Sequence, residues 1–131
     1  MPKVRGVNHI TLAVKNISRS VEFYQNVLGL TLRKTFKAGA YLEAGDMWIC
    51  LSLDKNARND VHADYTHIAF DVSVEDFENM KIQLQNNAVI KWKENSSEGQ
   101  SFYFLDPDGH KLEIHVGNLE TRLVYMEARA A

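Results

Sequence analysis

Read for side-chain polarity alone, the chain alternates twice with the same phase. In NHITLAV (8–14), Ile10, Leu12 and Val14 fall on one side of an extended strand, and His9, Thr11 and Ala13 on the other. THIAFDV (66–72) repeats the pattern: Ile68, Phe70 and Val72 make the apolar stripe, and His67 shares the opposite face with Ala69 and Asp71. The segments after the two copies also match. SRSVEFYQNVLGL carries Val21, Tyr24 and Leu28 at helical spacing, with Ser18 as the expected N-cap and Gly29 as the stop. SVEDFENMKIQLQNN places Phe77, Met80 and Leu84 on one helix face behind a Ser73 cap. Three short extended runs come next in each half: LTLRKTF, AYLEA and MWICLSL in the first, AVIKW, SFYFL and HKLEIHV in the second. The polar stretch DKNARNDVHAD (54–64) separates them as a linker. The pattern predicts an α+β fold of paired βαβββ modules, about 5–53 and 65–117, in a single domain over 1–131 that ends in a C-terminal helix at 118–131.

The two halves can be overlaid. His9 falls on His67 with a shift of 58, and AYLEAGDMWICLSL lies over YFLDPDGHKLEIHV with a shift of 63, so that Tyr41 meets Phe104, Gly45 meets Asp108 and Cys50 meets Glu113. In the last strand of each half, Leu112, Ile114 and Val116 alternate against Lys111, Glu113 and His115, as Met47, Ile49 and Leu51 do against Trp48, Cys50 and Ser52. If the sheets curve into one cup, His9, His67, Glu113 and Cys50 converge on its concave side. Two imidazoles and a carboxylate suit a divalent first-row metal and leave coordination positions open for catalysis. A single histidine on a strand's polar face is usually just solvated; the repeat-related placement of two of them points to a shared ligand. His62, His110 and His115 lie outside this symmetry and read as surface residues or neighbours of the ligands.

Composition narrows the partners. The chain has 131 residues, 45% of them hydrophobic, enough for an ordinary core. With 15 basic against 17 acidic residues and a formal charge of -2, nothing favours nucleic acid or a membrane surface electrostatically. No apolar run approaches the roughly 20 residues of a membrane span, and the opening MPKVRGVNH has no secretory h-region. The lone Cys50 excludes an internal disulfide, so a cytoplasmic protein acting on a small molecule or another protein is expected.

The runs GVNHITLAV, GAYLEAGDMWICLSL, DYTHIAF, NSSEGQSFYFLDPDGHKLEIHVG and LETRL, which together span nearly the whole chain, resemble the fosfomycin-resistance glutathione transferases of the vicinal oxygen chelate superfamily. The resemblance implies a cup-shaped sheet of paired modules, domain-swapped in a homodimer. It implies Mn²⁺, or Zn²⁺ or another divalent metal, held by His9, His67 and Glu113, with each site taking ligands from both chains. Thr11 would hydrogen-bond the oxirane oxygen of fosfomycin. Lys93 and Arg122 would compensate the phosphonate charge, with Ser97 and Tyr103 as hydroxyl donors. The loop containing Asn95, Ser97, Glu98, Gly99 and Ser101 would bind K⁺. Tyr41 and Trp48 would line the channel for glutathione, the Tyr41 phenol accepting the proton of the incoming thiol or stabilising its thiolate.

Without the resemblance, NSSEGQS is an ordinary polar loop, Thr11 a half-buried strand threonine, and Tyr41 and Trp48 are core or interface aromatics. Cys50, in the apolar strand WICLSL, reads as an inert buried thiol. Phe36, where many relatives have tryptophan, and the short tail after Arg122 depart from the family and bear on the shape of the thiol channel. Three alternatives stay open. A metal-dependent epoxide hydrolase would use Glu43 or Asp46 to activate water. An extradiol dioxygenase would place Fe(II) on two histidines and a carboxylate, but the short chain and the phosphonate-type residues argue against it. A drug-sequestering binding protein would have no need of metal ligands.

Overall fold

The structure, a computed structural model, describes residues 1–130; Ala131, the last residue of the predicted C-terminal helix, lies outside them. The chain divides into two compact units, Met1–Asp60 and Val61–Ala131.

The first unit comprises β1 (His9–Val14), α1 (Ile17–Glu22), β2 (Thr31–Phe36), β3 (Gly39–Ala44) and β4 (Met47–Leu53), in a four-stranded sheet of order β1-β4-β3-β2. β1 runs parallel to β4, and the other pairs are antiparallel. The period-2 stripe packs as expected: Leu12, Val14, Leu42, Ile49 and Leu51 are buried, and α1 packs against β3 and β4. Each fully buried aliphatic side chain contributes about 1.5–3 kcal/mol.

The helix start differs from the expectation. Asn16, not Ser18, is the cap: its backbone is extended and its side-chain oxygen accepts the Arg19 N–H at 2.9 Å. The chain turns directly out of β1, so Ser18 already lies inside the first turn. After Glu22 the helix widens, with Leu28 N–H bonding Phe23 O at 2.9 Å. That extra residue per turn lets Phe23, Tyr24, Val27 and Leu28 all reach the core, whereas Val21 is only half-buried. Gly29, at φ +87°, ends the helix as predicted.

The second unit repeats the plan with β5 (Ile68–Asp71), α2 (Val74–Asn86), β6 (Lys91–Lys93), β7 (Ser101–Leu105) and β8 (Lys111–His115), in sheet order β5-β8-β7-β6, followed by α3 (Leu119–Ala130). The Ser73 cap forms, its Oγ accepting Asp76 N–H at 3.2 Å, and α2 buries Phe77 and Leu84. β5 and β6 are shorter than the apolar runs that predicted them, and His67 sits one residue ahead of β5.

Pairing corrects the overlay of the two halves by one residue. Tyr41 lies opposite Cys50, and the residue opposite Glu113 is Tyr103, so the counterpart of Tyr41 is Tyr103 rather than Phe104. The slip sits in the hairpins. Ala44 pairs with Met47 across a tight turn, whereas Leu105 pairs with Lys111 across a longer one, in which Asp106 Oδ1 accepts the N–H groups of Asp108 (2.9 Å) and His110 (2.8 Å). The two polar faces also differ. In the first unit Thr11 and Tyr41 are exposed and Trp48 and Cys50 half-buried; in the second, Glu113 and Tyr103 are 4% and 2% exposed.

Candidate active site

In the first unit, strand register builds two rows across the polar face. One runs His9, Trp48, Glu43; the other runs Thr11, Cys50, Tyr41. The His9 ring stacks on Trp48 at 4.2 Å between centroids, Trp48 meets Tyr41 edge-on at 5.0 Å, and Tyr41 tilts against Phe36 at 5.0 Å. Phe36 thus belongs to this aromatic row. Arg33, at a bulge in β2, donates to Glu43 Oε1 at 2.8 Å. Arg33, Tyr41, Leu42, Glu43 and Trp48 together line an open depression of about 330 Å³. Cys50 is half-buried in the middle of this face rather than fully enclosed.

The imidazole of His9 is oriented from one side. Its Nδ1–H donates to Asn8 Oδ1 at 2.7 Å, which leaves Nε2 with its lone pair available. His67 repeats this arrangement in the second unit: its Nδ1–H donates to the Tyr65 carbonyl at 2.8 Å, and its Nε2 faces Glu113 Oε1 at 2.9 Å. A neutral ring with its proton on Nδ1 would set a lone pair against a carboxylate oxygen. The contact therefore calls for a cation between them, either a proton or a metal ion. Tethering Nδ1 to an acceptor is the arrangement that orients metal-binding histidines. Among the described residues no group of three or more His, Cys, Asp or Glu side chains is gathered to hold a metal.

Around His67 and Glu113 the second unit closes a layer of side chains. Tyr65, Trp92 and Tyr103 lie with ring centroids 4.8, 5.4 and 6.1 Å from the His67 ring, and the Trp92 indole N–H donates to Leu112 O at 3.0 Å. Lys93 Nζ stands 4.8 Å from the Tyr103 ring centroid and donates to Ser96 Oγ at 3.0 Å. The Tyr65 phenol is held above its usual range, first by desolvation and then by the Tyr103 hydroxyl and the Glu113 carboxylate, with Arg122 pulling the other way. Cations, phenols and a carboxylate thus meet on one side of the module. Lys93 and Arg122 give that side the charge to hold an anion.

The loop between β6 and β7 is a compact turn. Ser97 N–H and Oγ–H both donate to Asn95 Oδ1 at 3.0 Å, and Asn95 Nδ2 donates to Gly99 O at 2.9 Å. Glu98 is buried, and its Oε1 accepts from Arg122 Nε and faces His115 Nε2, both at 3.1 Å. Ser101 Oγ donates to Glu113 Oε2 at 2.6 Å. Every loop residue expected from the sequence is in this unit, along with Lys93, Tyr103, His67, Glu113 and Arg122; His9, Thr11, Tyr41 and Trp48 are in the first.

Three residues with prominent places are not among the expected site residues. Tyr65 and Trp92 flank His67, and His115, with a 12% exposed side chain, lies against Ser101 and Glu98. His62 is engaged by the Thr66 carbonyl at 2.7 Å. Alternation holds a signal for two of them: Tyr65 is two residues before His67, and His115 two after Glu113, each on its neighbour's face.

Residues 6–114 match the family described as the Glyoxalase/Bleomycin resistance protein/Dioxygenase superfamily. The glutathione transferase FosA of Serratia marcescens is 54% identical over 123 residues, covering 92% of this chain and 86% of that protein. The metallothiol transferase FosB of Staphylococcus epidermidis is 42% identical over 126 residues, covering 93% and 91%. Among solved structures, a mutant of the fosfomycin resistance protein FosX from Listeria monocytogenes, complexed with Mn(II) and 1S,2S-dihydroxypropylphosphonic acid, superposes with a TM-score of 0.80 at 30% identity, covering 93% of this chain and 99% of that one. Paired βαβββ units, the two tethered histidines and these likenesses agree: the chain belongs to the Glyoxalase/Bleomycin resistance protein/Dioxygenase superfamily and, within it, to the family of the glutathione transferase FosA.

Proposed function

We propose that the protein is a metal-dependent glutathione transferase that inactivates fosfomycin by adding the thiol across its epoxide. One observation carries the reading: His67 Nε2 and Glu113 Oε1 lie 2.9 Å apart while His67 Nδ1–H is committed to Tyr65 O, so the pair presents two donors to a cation. His9, tethered in the same way, is the third donor. Neutral imidazoles and one carboxylate fit Mn²⁺, with Zn²⁺ or another divalent ion able to occupy the same donors. The Mn(II) complex of the FosX relative supports that choice. A homodimer whose chains share the ligands is part of the proposal. When bound, the ion would supply Lewis acidity toward the oxirane oxygen.

The chain's own residues do the rest. Thr11, exposed on the face of His9, donates its hydroxyl to the oxygen on which charge develops as the ring opens. Lys93, Ser97, Tyr103 and Arg122 bind the phosphonate, and the loop of Asn95, Ser97, Glu98, Gly99 and Ser101 holds K⁺ beside it. Glutathione lies along the depression of Tyr41 and Trp48, where the Tyr41 hydroxyl donates a hydrogen bond to the thiolate; the thiol proton leaves to solvent, which returns one to the oxygen freed when the epoxide C–O bond breaks. The cytoplasm, where glutathione is plentiful and Cys50 stays reduced, is the proposed compartment; no helix among the described residues is long and apolar enough to cross a membrane.

The hydrolase alternative loses ground on one contact. Glu43 is ion-paired to Arg33 at 2.8 Å, so as a base it would have to exchange that partner for water, and Asp46 lies in the exposed β3–β4 turn. The deciding experiment follows fosfomycin by ³¹P NMR with Mn²⁺ present, first without and then with glutathione. A sulfur-bearing product formed only after the addition, at a rate that saturates with glutathione, supports the transferase. A diol formed beforehand overturns it.

A further inference from the structure

The Ser101 hydroxyl is engaged on both sides. Its single proton goes to Glu113 Oε2 at 2.6 Å, and its oxygen accepts from His115 Nδ1–H at 2.6 Å. The other nitrogen of His115 reaches Glu98 Oε1 at 3.1 Å, the oxygen that also accepts from Arg122 Nε. The side chains of Glu113, Glu98 and His115 are 5%, 8% and 12% exposed, so water does not replace these partners readily. An unanchored carboxylate turns almost freely about its last torsion. Here the short bond from Ser101 fixes Oε2 and thereby aims Oε1 at His67.

We propose that Ser101 and His115 are positioning residues for Glu113. This rests on the reading of Glu113 as a metal ligand. Partners of this kind tune affinity by orienting the ligand atom, and losing one weakens metal binding by about 10–100-fold. His115 Nδ1 also stands 3.4 Å from Glu113 Oε2, but that direct contact is long and the hold of His115 on the carboxylate runs mainly through the 2.6 Å bond to Ser101, so removing His115 adds little once Ser101 is gone.

The test is Mn²⁺ affinity of the purified full chain without substrate, read from the EPR signal of free Mn²⁺. Ser101→Ala should bind about 10–100-fold more weakly, and Ser101→Thr, which keeps the hydroxyl, should recover most of the loss. At position 115 the amide nitrogen of asparagine overlays Nδ1 and that of glutamine overlays Nε2. His115→Asn should therefore stay closer to wild type than His115→Gln, an order that a general packing defect would not produce. The double variant Ser101→Ala/His115→Gln should bind no more weakly than Ser101→Ala alone. Should Ser101→Ala fail to fold, the Asn-against-Gln order carries the test by itself. If Glu113→Gln loses Mn²⁺ while Ser101→Ala and His115→Gln bind like wild type, the positioning role is overturned and the metal reading stands. If Glu113→Gln and His67→Ala also bind like wild type, both are overturned.

Discussion

Two glycines with similar backbone angles allow the closeness of the β6–β7 loop to β8 to be weighed. Gly99 lies at φ +73° and Gly45 at φ +63°, a region that costs an ordinary L-residue about 1–2 kcal/mol. A Cβ on Gly45 would meet nothing within 4 Å, so Gly45→Ala carries the backbone strain alone. A Cβ on Gly99 would stand 2.6 Å from the Val116 carbonyl oxygen and 3.4 Å from His115 Cε1. The first contact is with backbone and cannot be relieved by a rotamer change. Either the loop lifts or the end of β8 moves, and such overpacking adds about 1–3 kcal/mol. Gly99→Ala should then cost about 2–5 kcal/mol and Gly45→Ala about 1–2. Urea unfolding of both variants at equal m-value measures the difference. Because the loop carries Ser97 and Glu98, Gly99→Ala should also raise the KM for fosfomycin, which Gly45→Ala has no contact with loop residues to do. Equal destabilisation of the two, within about 0.5 kcal/mol, would refute the close approach of the loop to Val116.

The remaining expectations concern the proposed chemistry. His67→Ala removes a donor and should lower turnover at least about a hundredfold at fixed Mn²⁺, with the circular dichroism spectrum of the apo protein unchanged; full turnover in metal-depleted buffer would contradict it. Tyr41→Phe keeps the aromatic contacts with Phe36 and Trp48 but loses the phenol, so the glutathione-dependent rate should fall roughly tenfold or more with little change in KM for fosfomycin. Replacing K⁺ by a bulky organic cation at constant ionic strength should slow the reaction severalfold, since screening of Arg122 and Lys93 is then held fixed; equal rates would leave the loop with no cation role.

The parts of the fold that are legible from sequence are those governed by a fixed local period. β1, β4, β7 and β8 appear where alternation places them, and Ser73 caps α2 because serine, an acidic first turn and an apolar face agree there. The differences come from geometry that spacing does not encode. Asn16 takes the cap from Ser18 because the chain leaves β1 without a connecting loop, and two good cap residues two positions apart look alike in sequence. A fixed offset matches Tyr41 with Phe104 only if the two hairpins have equal turns, and theirs are unequal. Alternation puts His115 on the face of Glu113, but its contacts are not legible in the sequence, because its partners Ser101 and Glu98 lie 14 and 17 residues away and are brought to it by the antiparallel pairing of β7 with β8.

The unequal covering of the two polar faces predicts how the modules tolerate change. On the open face around Tyr41, Trp48 and Arg33, water can replace a lost contact, so outside the touching row His9, Trp48, Tyr41 and Phe36 substitutions should combine nearly additively and can accumulate one at a time. Around Glu113 each polar atom answers to a buried partner, and a replacement that is neutral in isolation becomes costly once its neighbour has changed. Variation among descendants of this chain should therefore concentrate on the first module's face, where a different co-substrate can be accommodated by single steps. The second module's network should be inherited as a block, its members replaced together or not at all.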